Sequence, residues 1–456
     1  MLMAAASIRE LALDALVEIQ KEGHQCHKVI GRTLEKYQFL PRQDRAFFTR
    51  LVEGTLEYRI MLDYIIDCFS SVKTSRMKTV LREILRMSVY QMKYMDSVPD
   101  SAVVNEAVKL AQKKGFYQLK GFVNGVLRTT AREIGQVRYP NWSDPVRYLS
   151  VNYSMPEFLV QKWLDEYGFV DTEAVCRSFL ETHPVTVRVR QTANDQEETL
   201  KSLRDQGVRI TPAPYLDYVF YLENYDHLSA LDAFRKGRIA VQDLSSILAV
   251  EAAGLKKGQL VLDLCAAPGG KSLLAADKMK GYGLVVARDL TPYKVDLIRE
   301  NAERSQAINI SVEQADATEA DPAMFGKADV VLADLPCSGY GVIGKKPDIK
   351  YRANDRNQEE LVAMQRRMLA NAVKYLKPDG VLLYSTCTIG SEENRNNVEW
   401  LVENFPVKTE SLEGYLPQEL IGETARKGYL QLLPGIHPCD GFFIARFRRL
   451  EDEDGE

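Results

Sequence analysis

The chain has 456 residues, 45% of them apolar and 27% charged. That is too long for one ordinary domain, and too evenly mixed for a disordered or fibrous chain, so two or three soluble globular domains are expected. The net charge of −4 argues against bulk nucleic-acid binding, but residues 1–138 carry 22 Lys+Arg against 15 Asp+Glu while the remainder carries 37 against 48; a basic module joined to an acidic one suits a protein that grips a polyanion with one part, the plainer alternative being a solvated helix surface.

The N-terminus, MLMAAASIRELALDALVEIQKEG, spaces Ile8, Leu11, Ala12, Ala15, Leu16 and Ile19 as one helix face. It has no basic leader and no cleavage pattern, so it reads as an amphipathic helix rather than a signal peptide. No apolar run approaches the roughly 20 residues of a membrane span. Helical spacing continues over 7–22, 42–70, 74–95, 100–114 and 118–134, broken at Gly23, Pro41, Pro99 and Gly115. An all-α domain is therefore expected over 1–138. Its basic residues cluster at Arg42, Arg45 and Arg50 and at Lys113, Lys114, Lys120 and Arg128, as RNA contacts would. The interleaved Phe47, Phe48, Phe116, Tyr117 and Phe122 are expected in the core. His24-Gln25-Cys26-His27 carries metal-ligand side chains but has no partner set, and no metal is expected.

Pro140, Pro145 and Pro156 mark a boundary near 139. Helical spacing over 146–180, the alternating TVRVR (186–190), a helix at 194–206 and the strand-like VRITPAPYLDYVFYL predict a small α/β linking domain over 139–235. Over 236–450, LVLDLC, GLVVARDL, INISVEQAD, ADVVLADLP and GVLLYSTC read as strands separated by helices. That is the pattern of an α/β, doubly wound, Rossmann-like domain whose ligands lie beyond the carboxyl ends of the strands. YLQLLPGIHPCDGFFIARFRRL suggests two strands and a hairpin at a sheet edge, with His437 to Phe443 bordering the site or forming a simple turn. Residues 451–456 are an acidic tail.

LDLCAAPGGKS (262–272) runs from a buried strand to a helix through a tight glycine turn. It lacks the G-x-G-x-x-G of dinucleotide folds. Gly270-Lys271-Ser272 fits a phosphate loop, and Asp334 could pose as its metal-holding acid. Against that, Cys265 replaces the first glycine and Pro268 removes a backbone donor. The third reading is S-adenosylmethionine, with Asp289 at the end of the second strand for the ribose hydroxyls and Asp316 after the third for the adenine amine.

The seven cysteines are scattered, without a C-x-x-C pair, so reduced thiols and a cytoplasmic location are expected. Cys68, Cys176 and Cys439 have no chemical context, and Cys265 reads as a packed loop residue. Cys337, in VVLADLPCSG, and Cys387, in GVLLYSTCTIG, stand at the ends of two apolar strands with a helix between them. A lone cysteine is usually a small apolar core residue. Two at one sheet edge, beside Asp334 and a cofactor loop, suit covalent activation of cytosine. In that chemistry a thiolate adds at C6, an acid assists at N3, C5 takes a methyl group, and a base removes the C5 proton. Lys271 would orient Asp334 or the base.

At VQDLSS (241–246), DLCAAPGGKS (263–272), ARDL (287–290), Ala315-Asp316, DLPCSG (334–339), STCT with SEEN (385–394) and DGFF (440–443), the sequence resembles the RNA 5-methylcytosine methyltransferases of the NOL/NOP/Sun group. The N-terminal part resembles the antitermination factor NusB, with GFVNGVLR (121–128) as its signature, and the two joined resemble the Sun/Fmu branch. The resemblance implies an S-adenosylmethionine-dependent enzyme acting on a cytidine of 16S ribosomal RNA, naked or in an early small-subunit precursor. No membrane partner is implied, and a monomer is expected. It implies that Cys387 is the nucleophile and that Cys337 assists product release. It further implies that Cys265, Ala266, Ala267, Pro268, Gly269, Gly270, Lys271, Asp289, Asp316 and Asp334 bind or line the cofactor pocket, with Asp334 also meeting the base. Two positions depart from the family pattern: Arg190, where Asn is frequent, and Arg288 before the ribose acid. The competing readings are a non-catalytic RNA-binding scaffold and a DNA cytosine methyltransferase, which would use Cys337 as its nucleophile.

Overall fold

The structure, a computed structural model, describes residues 7–190 and 196–451; the expected helix start at 194–195 and the acidic tail beyond Glu451 lie outside the described residues. The chain divides into two compact units, 1–181 with 343–352, and 182–342 with 353–456.

The first unit is helical: Ile8–Glu22, Cys26–Lys36, Arg42–Glu57, Arg59–Phe69, Thr79–Tyr94, Asp100–Lys113, Lys120–Glu133, Pro145–Asn152 and Glu157–Ser178 are its main helices. Ile8–Glu22 starts where Ser7 Oγ accepts from the Glu10 N–H and stops at Gly23, whose φ of 68° is left-handed. It buries Leu11, Ala12, Ala15, Leu16 and Ile19, the stripe visible in the sequence. The helix Cys26–Lys36 was not foreseen: only Cys26, Val29 and Ile30 of it are buried, too short a stripe to stand out from a polar, glycine-containing run. The long segment 42–70 is two helices that meet at Tyr58.

Thr79–Tyr94 is buried from Leu81 to Gln91 except for Arg82, including Arg86, which pairs with Glu83 and Asp63 at 2.5 Å each. Its Tyr90 ring fills the space above Gly54, where a Cβ would lie 2.0 Å from the ring. Phe48 is buried, Phe47, Phe116 and Phe122 pack on the core, and Tyr117 is exposed. Residues 343–352 fold into this unit. Buried Lys350 donates to the Glu57 carbonyl at 2.8 Å, and Tyr351 Oη to that of Leu56 at 2.7 Å. Those carbonyls lie in the last turn of the helix Arg42–Glu57, where the regular ladder of N–H donors runs out, so donors from outside the helix serve them. Burial pushes the Lys350 ammonium down to about 7 and the Glu57 carboxyl up to about 7.

The second unit holds two sheets. The smaller comprises β1 (Val185–Val189), β2 (Arg209–Pro212), β3 (Val219–Glu223) and β4 (Ile239–Val241), antiparallel in the order β2-β3-β1-β4. The helix Gln196–Asp205 buries Leu200 and Leu203 with Val187, Val189, Phe220, Leu222 and Ile239 of this sheet. The larger comprises β5 (Leu260–Asp263), β6 (Leu284–Asp289), β7 (Ile310–Gln314), β8 (Ala328–Asp334), β9 (Leu376–Thr386), β10 (Val407–Thr409), β11 (Tyr429–Leu432) and β12 (Phe442–Arg449). Its order is β10-β12-β9-β8-β5-β6-β7, with β11 also beside β12.

The five strands β5 to β9, all anticipated, are parallel. β11 and β12 pair as a hairpin, but β12 is interior, with β9 on one side and β10 and β11 on the other. Phe442 to Phe447 are all buried, as expected of a strand covered on both faces. The order reverses between β5 and β8, which places the turns after those strands at the crevice where such sheets bind ligands.

Candidate active site

Asp334 and Ser385 are register partners at the ends of β8 and β9. Each strand then runs into a turn that carries a cysteine. The Sγ atoms of Cys337 and Cys387 lie 3.2 Å apart, and none of the seven cysteines forms a disulfide. The Cys337 thiol is held far above its ordinary value, first by its hydrogen bond with Cys387 and by burial, with the charges of Cys387, Glu393 and Asp334 adding. Should one sulfur of a pair this close ionise, the other can keep its hydrogen and donate it to the thiolate.

Asp334 Oδ2 accepts from Lys271 Nζ at 2.6 Å, and its Oδ1 accepts from Ser385 Oγ at 2.8 Å. Lys271 lies in the first turn of the helix Gly270–Lys278, which follows β5, and its ammonium stands 5.2 Å from the centre of the Phe442 ring. The switch in strand order thus brings Lys271, Asp334, Cys337 and Cys387 to one edge. The 440–443 segment borders it. Gly441 N donates to Gly341 O at 2.9 Å, Gly341 N donates to Cys387 O at 3.0 Å, and Asp440 N donates to Asp243 Oδ1 at 3.2 Å. A Cβ on Gly341 would meet Gly441 O at 1.9 Å, so the close approach requires glycine there.

The glycine turn is fastened to the end of β6. Ala266 N donates to Arg288 O at 2.8 Å and Ala267 N to the buried carboxylate Oδ2 of Asp289 at 3.0 Å. Gly269, at φ +107°, caps the helix. Asp289 Oδ1 also takes the Leu290 N–H at 2.8 Å and pairs with Lys294 at 2.9 Å. Asp316 follows β7, one residue beyond Ala315, whose N–H donates to Asp289 O at 3.1 Å. The Thr318 hydroxyl and N–H bonds to its Oδ1 hold its carboxyl below the usual range. Cys265 is partly buried and packs against the apolar cluster that includes Leu262, Leu264 and Val286. Burial and the charges of Asp263, Asp289 and Asp334 push its thiol up. The His24–His27 run is not gathered: Cys26 joins the helical core, while His24 faces Glu18 at 2.8 Å and Glu22 at 3.3 Å.

Three residues had no role assigned from sequence. Asp263, the last residue of β5, is fully buried, accepts from Ser272 Oγ at 2.6 Å, and has no partner for Oδ1 among the described residues. Burial pushes its carboxyl up to about 7, with Asp334 adding and Ser272 and Lys271 opposing. Glu393 lies buried beneath the Cys337 turn, and Gln365 contacts both. Asp263 and Glu393 stand within the motifs quoted above, but nothing in a string such as SEEN tells which acid turns inward.

The two departures have structural accounts. Arg190 and Arg188, from β1 and its end, both pair with buried Asp277 of the helix Gly270–Lys278, at 2.6 and 2.7 Å. Arg190 also donates to the Ser305 carbonyl. The smaller sheet therefore grips the helix that carries Lys271. Arg288 pairs with Glu313 and Asp321 at 2.9 Å each and, with Tyr375, lines a cavity of about 410 Å³ beside Asp316.

A family model described as 16S rRNA methyltransferase RsmB/F matches residues 251–448, the NusB family matches 6–132, and an RsmF/B-like ferredoxin-like domain matches 155–227. The chain is 36% identical to the probable ribosomal RNA small subunit methyltransferase B of Bacillus subtilis (strain 168), over 98% of this chain and 100% of that one. It is 30% identical to the protein of the same description from Synechocystis (strain PCC 6803), over 97% and 99%. In fold it is similar to the crystal structure of PH0851, with a TM-score of 0.79 at 24% identity over 98% of this chain and 100% of that chain. No helix among the described residues is long and apolar enough to cross a membrane.

Proposed function

The chain belongs to the RsmB/F family of 16S rRNA methyltransferases, and on that footing we propose that it methylates C5 of a cytidine in 16S rRNA, using S-adenosylmethionine and a transient cysteine–C6 bond. The observation that carries this reading is the pair of thiols 3.2 Å apart beside the Lys271–Asp334 pair.

The residues present fit the cofactor. A glycine turn closes over the end of β5, acids stand at the ends of β6 and β7, and Asp263 Oδ1 is a buried acceptor without a partner among the described residues. Cys265 to Lys271 would hold the amino-acid part, Asp289 the ribose and Asp316 the adenine. When bound, S-adenosylmethionine supplies an electrophilic methyl group to C5.

The protein's own residues do the rest. Cys387, as thiolate, adds to C6, and Cys337, which keeps its hydrogen, stabilises that thiolate before attack and after release. Lys271 and Asp334 hold a proton between Nζ and Oδ2 at the N3 edge, where negative charge develops as C6 is attacked. A solvent base then takes the C5 proton, the C–H electron pair restores the ring double bond, Cys387 Sγ leaves C6 with its electron pair as thiolate, and N3 returns its proton to the Lys271–Asp334 pair. The basic helical unit would contact RNA phosphates, and the cytosine would be presented unstacked.

The test is labelled methyl transfer to naked 16S rRNA, with the product nucleoside identified and its position mapped. A single 5-methylcytidine is expected. Methylation at another atom removes the C6-adduct mechanism, and RNA retention without transfer favours the scaffold reading.

A further inference from the structure

The two cysteine turns are tied one residue beyond each thiol. Ser338 Oγ and Thr388 Oγ1 share a hydrogen bond at 2.7 Å. From below, Ser338 N donates to Glu393 Oε2 at 3.0 Å. Gln365, on the helix Asp355–Tyr375, donates to the same carboxylate oxygen at 2.8 Å and to Pro336 O at 2.9 Å. The turn is thus clasped on the residue before Cys337 by Gln365 and on the residue after it by Glu393. Asn397 completes the cluster, donating to Gln365 Oε1 at 2.9 Å and to Glu393 O at 3.1 Å. Glu393, Gln365, Asn397 and Thr388 are all fully buried.

A carboxylate in such a place is costly unless it does something an apolar side chain cannot. No cation pairs with Glu393 among the described residues, and its Oε1 is buried without a partner among them. Burial pushes its carboxyl up, while Ser338 and Gln365 pull it back. Plain core packing would favour Leu or Met here. What Glu393 supplies is an acceptor for Ser338 N, next to Cys337. Besides the Thr388 tie to Ser338, the Cys387 turn has supports that do not pass through the Glu393 carboxylate: Gly341 N on Cys387 O, and Asn394, which accepts from Thr386 Oγ1 at 2.6 Å and donates to Thr388 O at 3.1 Å.

We propose that Glu393 is a positioning residue for Cys337, holding the Pro336–Ser338 turn so that the Cys337 thiol stays within reach of Cys387 Sγ and eases its departure from C6. The inference rests on the proposed two-thiol reaction. It separates two steps: Glu393 governs release of the adduct more than its formation.

The experiment is single-turnover methyl transfer to 16S rRNA, with denaturing gels that time both appearance and disappearance of the protein–RNA adduct. Glu393→Gln keeps an oxygen for Ser338 and Gln365 and puts its NH₂ where Oε1 has no partner. Glu393→Ala removes both bonds. Glu393→Asp keeps the acid but withdraws it by about 1.5 Å, and it stands in if the alanine variant does not fold. Adduct should resolve about tenfold more slowly in the alanine variant, the size of one lost hydrogen bond, and slower than wild type in the aspartate variant. Its formation should stay near wild type, and the glutamine variant should restore resolution. Equal slowing of formation and resolution, or a glutamine variant as slow as alanine, overturns the positioning role. A wild-type protein that forms no adduct and transfers no methyl group removes the underlying reaction and the positioning role with it.

Discussion

Replacing Asp277 with Asn should destabilise the second unit by about 3–5 kcal/mol, the usual cost of stranding buried charge. Asp277 and Arg188 are almost fully buried, and Arg190 nearly so. The carboxylate takes bonds from Arg188 NH1 at 2.7 Å and from Arg190 Nε and NH2 at 3.0 and 2.6 Å. Asparagine keeps the shape but leaves two guanidiniums facing one neutral amide. Burial alone would raise the Asp277 carboxyl, but the Arg190 hydrogen bond and the charges of Arg188 and Arg190 outweigh it and hold the group below its ordinary range. The folded form therefore binds the proton more weakly than the unfolded form. This contribution is present above the ordinary aspartate value, near 3.9, and is lost as pH falls through the folded value. Urea unfolding of wild type and variant should show the full gap at pH 7 and a narrowing gap below about pH 4. Replacing all three residues with Leu or Met should recover much of the loss. A gap under about 1 kcal/mol at pH 7, well below the expected range, refutes the reasoning, as does a gap that acid leaves unchanged.

Lys271→Met should lower single-turnover methyl transfer by about 10²-fold or more, since it removes the donor on Asp334 Oδ2 without emptying the space under Phe442. Asp263→Asn should change the pH dependence of stability. The wild-type carboxyl, raised to about 7, contributes stability that is full below its ordinary value near 3.9 and lost as pH rises through about 7. Wild-type urea midpoints should therefore fall over that window more than those of the variant. Lys350→Met should relieve the helical unit of a buried ammonium, a gain offset by about 1–3 kcal/mol for the donor that the Glu57 carbonyl loses. Its ammonium is lowered to about 7, so the cost of burying it is full below that pH and fades as pH approaches the ordinary lysine value of about 10.4. Thermal melts at pH 6 and pH 10 should show the larger gain at pH 6.

Strands β5 to β9 were legible because parallel strands buried on both faces are short apolar runs bounded by turns, and each here ends in a polar residue. That regularity places Asp289, Asp334, Cys337 and Cys387 at one edge from the sequence pattern alone. What stayed hidden depends on partners far away in sequence. Residues 343–352 follow the Cys337 turn in the chain yet fold with the helices, where Lys350 and Tyr351 donate to the helix-end carbonyls of Glu57 and Leu56. Arg190 looked like an anomaly because its partner, Asp277, is 87 residues away. The interior place of β12 follows from pairing with β9, which a hairpin signature does not encode. Glu392 and Glu393 are adjacent glutamates, and only packing beneath the thiols distinguishes them.

The most direct measurement is adduct formation on 16S rRNA by wild type, Cys387→Ala and Cys337→Ala, resolved on a denaturing gel beside methyl transfer. The account predicts no adduct and no transfer from Cys387→Ala, and a persistent adduct with slow product release from Cys337→Ala. Loss of both activities in Cys337→Ala, with Cys387→Ala still active, contradicts it and makes Cys337 the nucleophile.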